Sequence, residues 1–275
     1  MPRSRTPAGP EKTAFVVLEY CGGDRTDALY RKLAGWNKDA TIYVLDNASP
    51  TNRAKSATHR NRVNSYVGGG IRECIELAES MGASYVFYCA NDVNFQGSLD
   101  IATFQRVMDD DPSVVLFSCS LTADSHQARV FPWMVQRAGG SVRQVRAIDP
   151  LCCLMRLDFI RGFGGFPESR GGWGFSAELA FHARTQGKKI YVSDTCAVGH
   201  TTAGSGLVGE RGAKISKATE AAQVYANRYG SIDVIRDALE PPDFDETRDV
   251  ELTPKMRAPS GTPQDPGTSD RSSTY

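Results

Sequence analysis

The sequence predicts an α/β fold with a doubly wound, mostly parallel central sheet and a small antiparallel part. Over the first hundred residues, short apolar stretches of strand composition alternate with segments whose apolar residues keep helical spacing. Such alternation is typical of parallel strands joined by crossover helices. Between about residues 121 and 150 the polarity alternates from residue to residue, which indicates antiparallel strands.

The first half of the chain supplies the predicted parallel strands. Asp24 is expected to cap the first helix. Residues 52–62 are polar and basic and show no periodicity, which indicates a loop. In chain order we expect strands at 14–20, 41–45, 63–66 and 85–89, and helices at about 25–35 and 68–81.

The second half begins with a helix that Ser98 is expected to cap and ends with a long helix. The antiparallel strands are VFPWMV and SVRQVRAI, joined by a turn at Gly139-Gly140. The other expected elements are helices at about 98–110, 156–162, 176–187 and 214–239, and strands at 114–118 and 190–192, with an apolar stretch at 151–154.

Composition divides the chain into one domain and two polar ends. Residues 1–12 are rich in Pro, Arg and Ser, and residues 241–275 have almost no aliphatic side chains, so both ends are expected to be disordered. Residues 13–240 then form a single domain.

Charge and hydropathy narrow the function classes. Lys+Arg and Asp+Glu both number 32, so no global charge attracts nucleic acid or anionic lipid. No apolar run approaches the roughly 20 residues of a transmembrane helix. The seven cysteines form no C-x-x-C pair. These features predict a cytoplasmic protein without a transmembrane segment.

Polar side chains follow the apolar strand Tyr85–Cys89. Asn91, Asp92 and Asn94 come directly after it, at the carboxyl edge where open α/β sheets bind ligands. Carboxylate and amide oxygens suit a hard divalent cation, so we expect Mg²⁺ or Mn²⁺ here. A plain Asx-turn is the competing interpretation.

An ordered set of motifs extends this interpretation over residues 14–205. The motifs are VVLEY, VLDNASP, the N-x-x-x-G-G-G-I-R run from Asn64, YCANDVN, LCCLMRLDFIRGFGGFPE, GGWGFSAELAFHARTQGKKI and VGH. Together they resemble the family 2 glycosyltransferases, which are inverting enzymes with the GT-A fold. The resemblance implies a single GT-A domain that uses a nucleotide sugar linked to UDP, GDP or dTDP.

The resemblance also implies roles for single residues. Asp46 and Asn47 match the position that binds the nucleoside, and Asp92 matches the metal-binding carboxylate of a D-x-D signature that has only one Asp here. His200 matches a histidine that completes the metal site with Mn²⁺ or Mg²⁺ in some members. The remaining candidates for nucleotide binding are Asn64, Arg72 and Asn91.

Glu178 is the candidate general base, because an inverting transfer needs a carboxylate to take the acceptor proton. Ser176 stands where the family often has an acid, so Asp149 is kept as a second candidate. Trp173 is expected to stack on a sugar at the donor or acceptor.

Two other function classes stay open at this point. One is a non-catalytic module that binds a nucleotide sugar or glycan; the other is a nucleotidyltransferase, although the loop after the first strand lacks a phosphate-binding pattern with lysine. The acceptor class is left open between a glycan, a protein and a nucleic-acid base. The basic residues at 53–62 are the one hint of a polyanionic acceptor.

Overall fold

The computed structural model describes residues 13–200, 217–239, 244 and 249–251. Their strands are β1 (Thr13–Glu19), β2 (Ile42–Asp46), β3 (His59–Arg60), β4 (Tyr85–Ala90), β5 (Val93–Gly97), β6 (Val114–Leu121), β7 (Val142–Val145), β8 (Cys152–Arg156) and β9 (Lys189–His200). Their helices are α1 (Gly23–Trp36), α2 (Tyr66–Ser80), α3 (Ile101–Asp110), α4 (Leu157–Gly162), α5 (Phe175–Thr185), α6 (Lys217–Tyr229) and α7 (Asp233–Arg236). Short 3-10 helices cover His126–Arg129, Pro132–Met134 and Asp237–Leu239.

The strands of the described residues form one sheet in the order β3-β2-β1-β4-β8-β6-β9-β5, and β7 pairs with β9 beside this path. Strands β1, β2, β3, β4, β6 and β9 run in one direction, and β5, β7 and β8 run against them. The predicted α/β class with a mostly parallel sheet and an antiparallel part is therefore confirmed.

The central strands form the core of the molecule. All eight residues of β6 are buried, as are the first five of β4 and the first four of β8. Strands covered on both faces need apolar side chains on both faces, which is why their sequences are continuous apolar runs. Among the described helices, none has both the length and the apolar composition needed to cross a membrane.

The predicted strand at 63–66 is wrong, and a strand lies in the segment predicted to be a loop. His59 and Arg60 pair in parallel with the end of β2, while the chain turns before α2 begins at Tyr66. Backbone groups extend the pairing, since Asn61 N also donates to Asp46 O (2.9 Å). A polar composition therefore did not prevent a strand at this edge of the sheet.

The antiparallel part also differs from the prediction. VFPWMV does not form a strand: it contains the 3-10 helix Pro132–Met134, and Pro132 has no N–H to donate to a ladder. The SVRQVRAI strand exists as β7. The strand predicted at 190–192 is the twelve-residue β9, which pairs with the unpredicted β5 through Val93 and His200.

The observed helix boundaries differ from the predicted ones by a few residues. Asp100, not Ser98, caps α3 by accepting from Thr103 N (3.2 Å), and Gly22 holds the N-cap position of α1. The long last helix is divided after Tyr229, and its predicted first residues lie outside the described part. Within the predicted disordered tail, Val250 N donates to Val142 O (2.8 Å), so residues 249–251 lie along β7.

A buried ion pair joins β7 to β9. Arg143 Nε and Nη2 contact the two carboxylate oxygens of Asp194 at 2.7 and 2.9 Å, and both side chains are fully buried. Arg143 also donates to Trp133 O (2.7 Å) and Val135 O (3.0 Å), and Ser120 Oγ donates to Asp194 (2.5 Å). Burial, which would raise the pKa of Asp194, is outweighed by Arg143 and Ser120, so the pKa lies below its usual value.

We predict that breaking this pair on one side strongly destabilises the protein. R143M and D194N should each lower the free energy of unfolding by about 3–5 kcal/mol, because an unpaired charge or a set of unpaired donors stays buried. Urea unfolding of both variants checks this. The matched control is R161A, which removes the exposed pair with Glu79 (3.3 Å) and should cost only about 0–1 kcal/mol. Similar losses in all three variants would contradict the prediction.

Candidate functional site

A cavity of about 640 Å³ lies at the edge of the sheet where β1 and β4 end. Its size is within the range of sites that bind small molecules and cofactors. Of the residues predicted for function, seven line it: Asn47, Asn64, Asn91, Asp92, Asp149, Trp173 and His200. Three do not: Asp46, Arg72 and Glu178.

Asp92 and His200 form an ion pair in the wall of this cavity. His200 Nε2 lies 3.0 Å from Asp92 Oδ2, and the two side chains are 14% and 15% exposed. Strand pairing explains the contact, because β5 follows Asp92 and places Val93 opposite His200. The far ring nitrogen, Nδ1, lies 2.6 Å from the amide nitrogen of Gln127, which fixes the orientation of the imidazole. Burial alone would lower the pKa of His200, but Asp92 and Asp149 outweigh it and raise that pKa.

Asp149 faces the same pair from the segment between β7 and β8. Burial raises the pKa of its carboxyl group to about 6; His200 acts to lower it and Asp92 to raise it. A carboxylate with such a pKa accepts a proton near neutral pH and releases it again, which is the property required of a general base.

The donor set at this edge fits a divalent cation in part. Asp92 offers a carboxylate and His200 an imidazole, a combination suited to Mn²⁺. Within the described residues, no group of three or more acidic, His or Cys side chains is arranged to hold a metal ion. Any further ligands would have to come from a bound diphosphate or from water.

The side chain of Asn91 forms hydrogen bonds inside the protein. Its Nδ2 donates to Glu19 Oε2 (2.7 Å) and Thr26 Oγ1 (3.0 Å), and Thr26 Oγ1 itself donates to Glu19. Glu19 is fully buried and also accepts from Gly22 N (2.8 Å) and Gly23 N (3.2 Å). This carboxylate joins the ends of β1 and β4 to the start of α1. Its sequence position did not indicate this role, because the glutamate stands inside an apolar strand.

The two residues predicted to bind the nucleoside, Asp46 and Asn47, also have partners within the chain. Asp46 accepts from Ser49 N (2.8 Å) and contacts Arg60 Nε at 3.4 Å. Asn47 Oδ1 accepts from Ser65 N (3.0 Å). Asn47 Nδ2 donates to Tyr66 O (3.0 Å). Asn47 thus positions the start of α2 beside the cavity.

Asn64 and Arg72 differ in position. Asn64 lines the cavity, and its Oδ1 accepts from Tyr66 N (2.8 Å), which supports the left-handed backbone of Tyr66 (φ 59°). Arg72 donates to Pro167 O (2.9 Å), so it ties α2 to the glycine-rich segment before α5.

Glu178 is fully buried in the first turn of α5 and contacts α6. Its Oε1 accepts from Tyr229 OH (2.6 Å) and lies 3.2 Å from Arg228 Nε, and its Oε2 is 3.4 Å from Tyr225 OH. Burial raises the pKa of Glu178 more than Tyr229 and Arg228 lower it. These contacts join the two helices.

Trp173 lies at the cavity mouth and is 52% exposed. The next residue, Gly174, has φ 91° and would place a Cβ 2.2 Å from the ring of Tyr225, so only glycine fits there. Gly68 similarly allows α2 to approach within contact of Ser169 O. The backbone around Trp173 is therefore held closely by α2 and α6.

Comparisons with known proteins give limited information. No protein-family model and no curated protein matches the chain. Among solved structures, the chain is similar to GalNAc-T7 with UDP, GalNAc and Mn²⁺, with a TM-score of 0.48 and 11% identity over 70% of this chain and 44% of that one. It is also similar to A197 from STIV, with a TM-score of 0.43 and 10% identity over 69% of this chain and 85% of that one. It is similar as well to TarS of S. aureus, with a TM-score of 0.45 and 12% identity over 66% of this chain and 34% of that one. The chain thus spans less than half the length of the GalNAc-T7 and TarS chains. Similarities with TM-scores below 0.5 carry no argument about function, so the function is argued from the residues of the site.

We predict that Glu178 acts on stability. E178A should lower the free energy of unfolding by about 2–5 kcal/mol, since it opens a buried hole and removes the partner of Arg228. E178Q keeps the shape and one acceptor oxygen for Tyr229 and Arg228, and its amide NH2 can donate to the hydroxyl of Tyr225, so it should cost much less. Urea unfolding distinguishes the two. A stable E178Q protein that loses transfer activity would instead make Glu178 the base.

We also predict that the stability of the protein depends on pH because Asp149 binds and releases a proton. Its pKa of about 6 exceeds the ordinary aspartate value of 3.8, so between these values the folded state holds a proton that the unfolded state has lost. The free energy of unfolding of the metal-free protein should therefore fall by about 1–3 kcal/mol as pH rises from about 4 to about 6.5. D149N should lack this component. Parallel stability curves for the two proteins, measured with chelator present, would contradict the assignment.

Proposed function

We propose that the chain is a glycosyltransferase that moves a sugar from a nucleoside diphosphate to an acceptor hydroxyl with inversion at the anomeric carbon. One observation carries the proposal: Asp92, His200 and Asp149 come together in a single cavity at the carboxyl edge of a mostly parallel sheet. Ligands of open α/β sheets bind at that edge. The motif resemblance in the sequence points to the same chemistry.

The donor is expected to lie along the carboxyl ends of β1 and β4. Asn47 and Asn64 line one part of the cavity with Tyr20 and Tyr66, whose rings suit a nucleoside base. Asp92 and His200 would hold Mn²⁺ or Mg²⁺, and a bound cation would neutralise charge on the diphosphate leaving group. Because Asp92 and His200 pair with each other, the cation has to displace their ion pair.

Asp149 is the base in this proposal, and Glu178 is not. Asp149 lines the cavity and has a pKa near neutrality, whereas Glu178 contacts α6 away from the cavity walls. The acceptor oxygen attacks the anomeric carbon and forms the new C–O bond. The bond from that carbon to the diphosphate oxygen breaks, and the acceptor proton goes to Asp149.

Nucleotide binding provides the first test. D92N should weaken the affinity for UDP in the presence of Mn²⁺ by at least about tenfold, because a neutral amide is a poorer ligand than a carboxylate. Calorimetry with UDP, GDP and dTDP, with and without Mn²⁺, measures the effect. D110N, an exposed carboxylate on α3, is the matched control and should bind like the wild type. Equal affinity in D92N and wild type for every nucleotide would contradict the metal site.

Turnover provides the second test. D149N should reduce donor turnover by about 10²- to 10⁴-fold, the usual contribution of a general base, with nucleotide affinity nearly unchanged. Donor hydrolysis with UDP-, GDP- and dTDP-sugars and Mn²⁺ can be followed without knowing the acceptor. Full turnover in D149N would remove Asp149 from the mechanism. Asp92-dependent nucleotide binding with no turnover for any donor would favour the non-catalytic binding module.

A further inference from the structure

Three exposed apolar side chains surround the mouth of the cavity. Val67, Val130 and Trp173 are 48%, 60% and 52% exposed, and all three line the cavity. They come from the start of α2, from the segment between two 3-10 helices and from the loop before α5. Among the described residues, only Val63 and Val234 are other large apolar side chains with comparable exposure. Exposed apolar groups that gather at one opening indicate a surface that binds a ligand.

Two of these three side chains are held on a defined backbone. The carboxylate of Glu220 on α6 accepts from Arg170 N (2.6 Å) and Gly171 N (3.1 Å), which fixes the loop just before Trp173. A Cβ on Gly172 would lie 3.6 Å from Val67 Cγ1, so the loop packs against the start of α2. Val67 and Trp173 of the apolar rim, meaning Val67, Val130 and Trp173, are thus organised before a ligand arrives, which reduces the entropy lost on binding.

The charges of the cavity disfavour an anionic acceptor. Its described lining contains no Lys or Arg, and apart from tyrosines its ionisable side chains are Asp92, Asp149, His126 and His200. The basic segment that suggested a polyanionic acceptor lies elsewhere: Arg60 pairs with Asp46. In the same segment, Arg53 donates to Ser49 O (2.9 Å). A neutral molecule with an apolar part is complementary to both the carboxylates and the rim.

We propose that the acceptor is a small, uncharged molecule that carries an aryl or alkyl group close to its reactive hydroxyl. The apolar group would lie between Val67, Val130 and Trp173, with an aryl ring stacked on the indole, and the hydroxyl would point inward to Asp149. This inference rests on the proposed glycosyl transfer, since it names the second substrate of the same site.

Equilibrium binding of two matched probes tests the inference. Phenyl β-D-glucopyranoside and methyl β-D-glucopyranoside have the same sugar and differ only in the apolar group. Calorimetry on the full chain, without donor, should show phenyl glucoside binding at least about tenfold more tightly, since the phenyl ring buries more apolar surface. The double variant V67S/V130S should reduce this ratio to nearly one. V234S, which changes an exposed valine on α7, is the matched control and should keep it.

Each remaining result counts against the inference. It is overturned by equal affinities for the two probes, by no binding of phenyl glucoside at millimolar concentration, or by a preference that V67S/V130S leaves intact. Flotation with phosphatidylcholine vesicles is a further experiment, which tests whether the rim binds a membrane. Vesicle binding that V67S/V130S abolishes would make the rim a membrane contact and overturn the small-molecule acceptor.

These experiments distinguish a failure of the proposed glycosyl transfer from a failure of the proposed acceptor class. A phenyl preference that depends on the rim, together with UDP binding that does not depend on Asp92, would remove the proposed transfer but leave an apolar binding site. Asp92-dependent UDP binding without a phenyl preference would leave the transferase and remove the acceptor class. Circular dichroism of V67S/V130S confirms folding, and both valines are exposed enough for serine to be tolerated.

Discussion

The buried pair of Arg143 and Asp194 is the constraint on which the antiparallel side of the molecule depends. An isolated charge inside a protein is strongly unfavourable, so each side chain needs the other together with the polar groups around them. Those groups include the carbonyl oxygens of Trp133 and Val135. The pair therefore fixes not only β7 against β9 but also the irregular segment that precedes β7. The same segment carries Phe131 in the cavity wall, so a charge pair outside the site supports one part of that wall.

The carboxyl edge of the sheet uses its carboxylates in two different ways. Glu19 accepts hydrogen bonds from four groups and has no capacity left for a ligand. Asp92 and Asp149 line the cavity together with His200, and the negative charges of both carboxylates raise the pKa of that histidine. The difference comes from geometry: Glu19 points at the turn that starts α1, where backbone N–H groups are available, and the other two line the cavity. A ligand can therefore compete for Asp92 and Asp149 but not for Glu19.

The sequence predicted the elements whose own composition determines them and missed those determined by distant pairing. β1, β4 and β6 are continuous apolar runs, because they are covered on both faces, and such runs are visible locally. β3 and β5 contain few apolar residues and exist because β2 and β9 offer free edges. For the site, the polar residues after the strands were found, and Asp92 and His200 do meet. The partners of Arg72 and Asn91, which are Pro167 and Glu19, come from distant parts of the chain, which no local pattern reveals.

The position of Glu178 shows why a motif match does not settle the role of a side chain. Ser176 lines the cavity, and on an α-helix a residue two positions later is rotated by roughly 200° about the axis. Glu178 must then lie on the opposite face, where α6 covers it with Tyr225, Arg228 and Tyr229. A carboxylate at position 176 would face the cavity, but this chain has serine there. The base that we propose, Asp149, reaches the cavity from the segment before β8, so a different part of the fold supplies the function that α5 lacks.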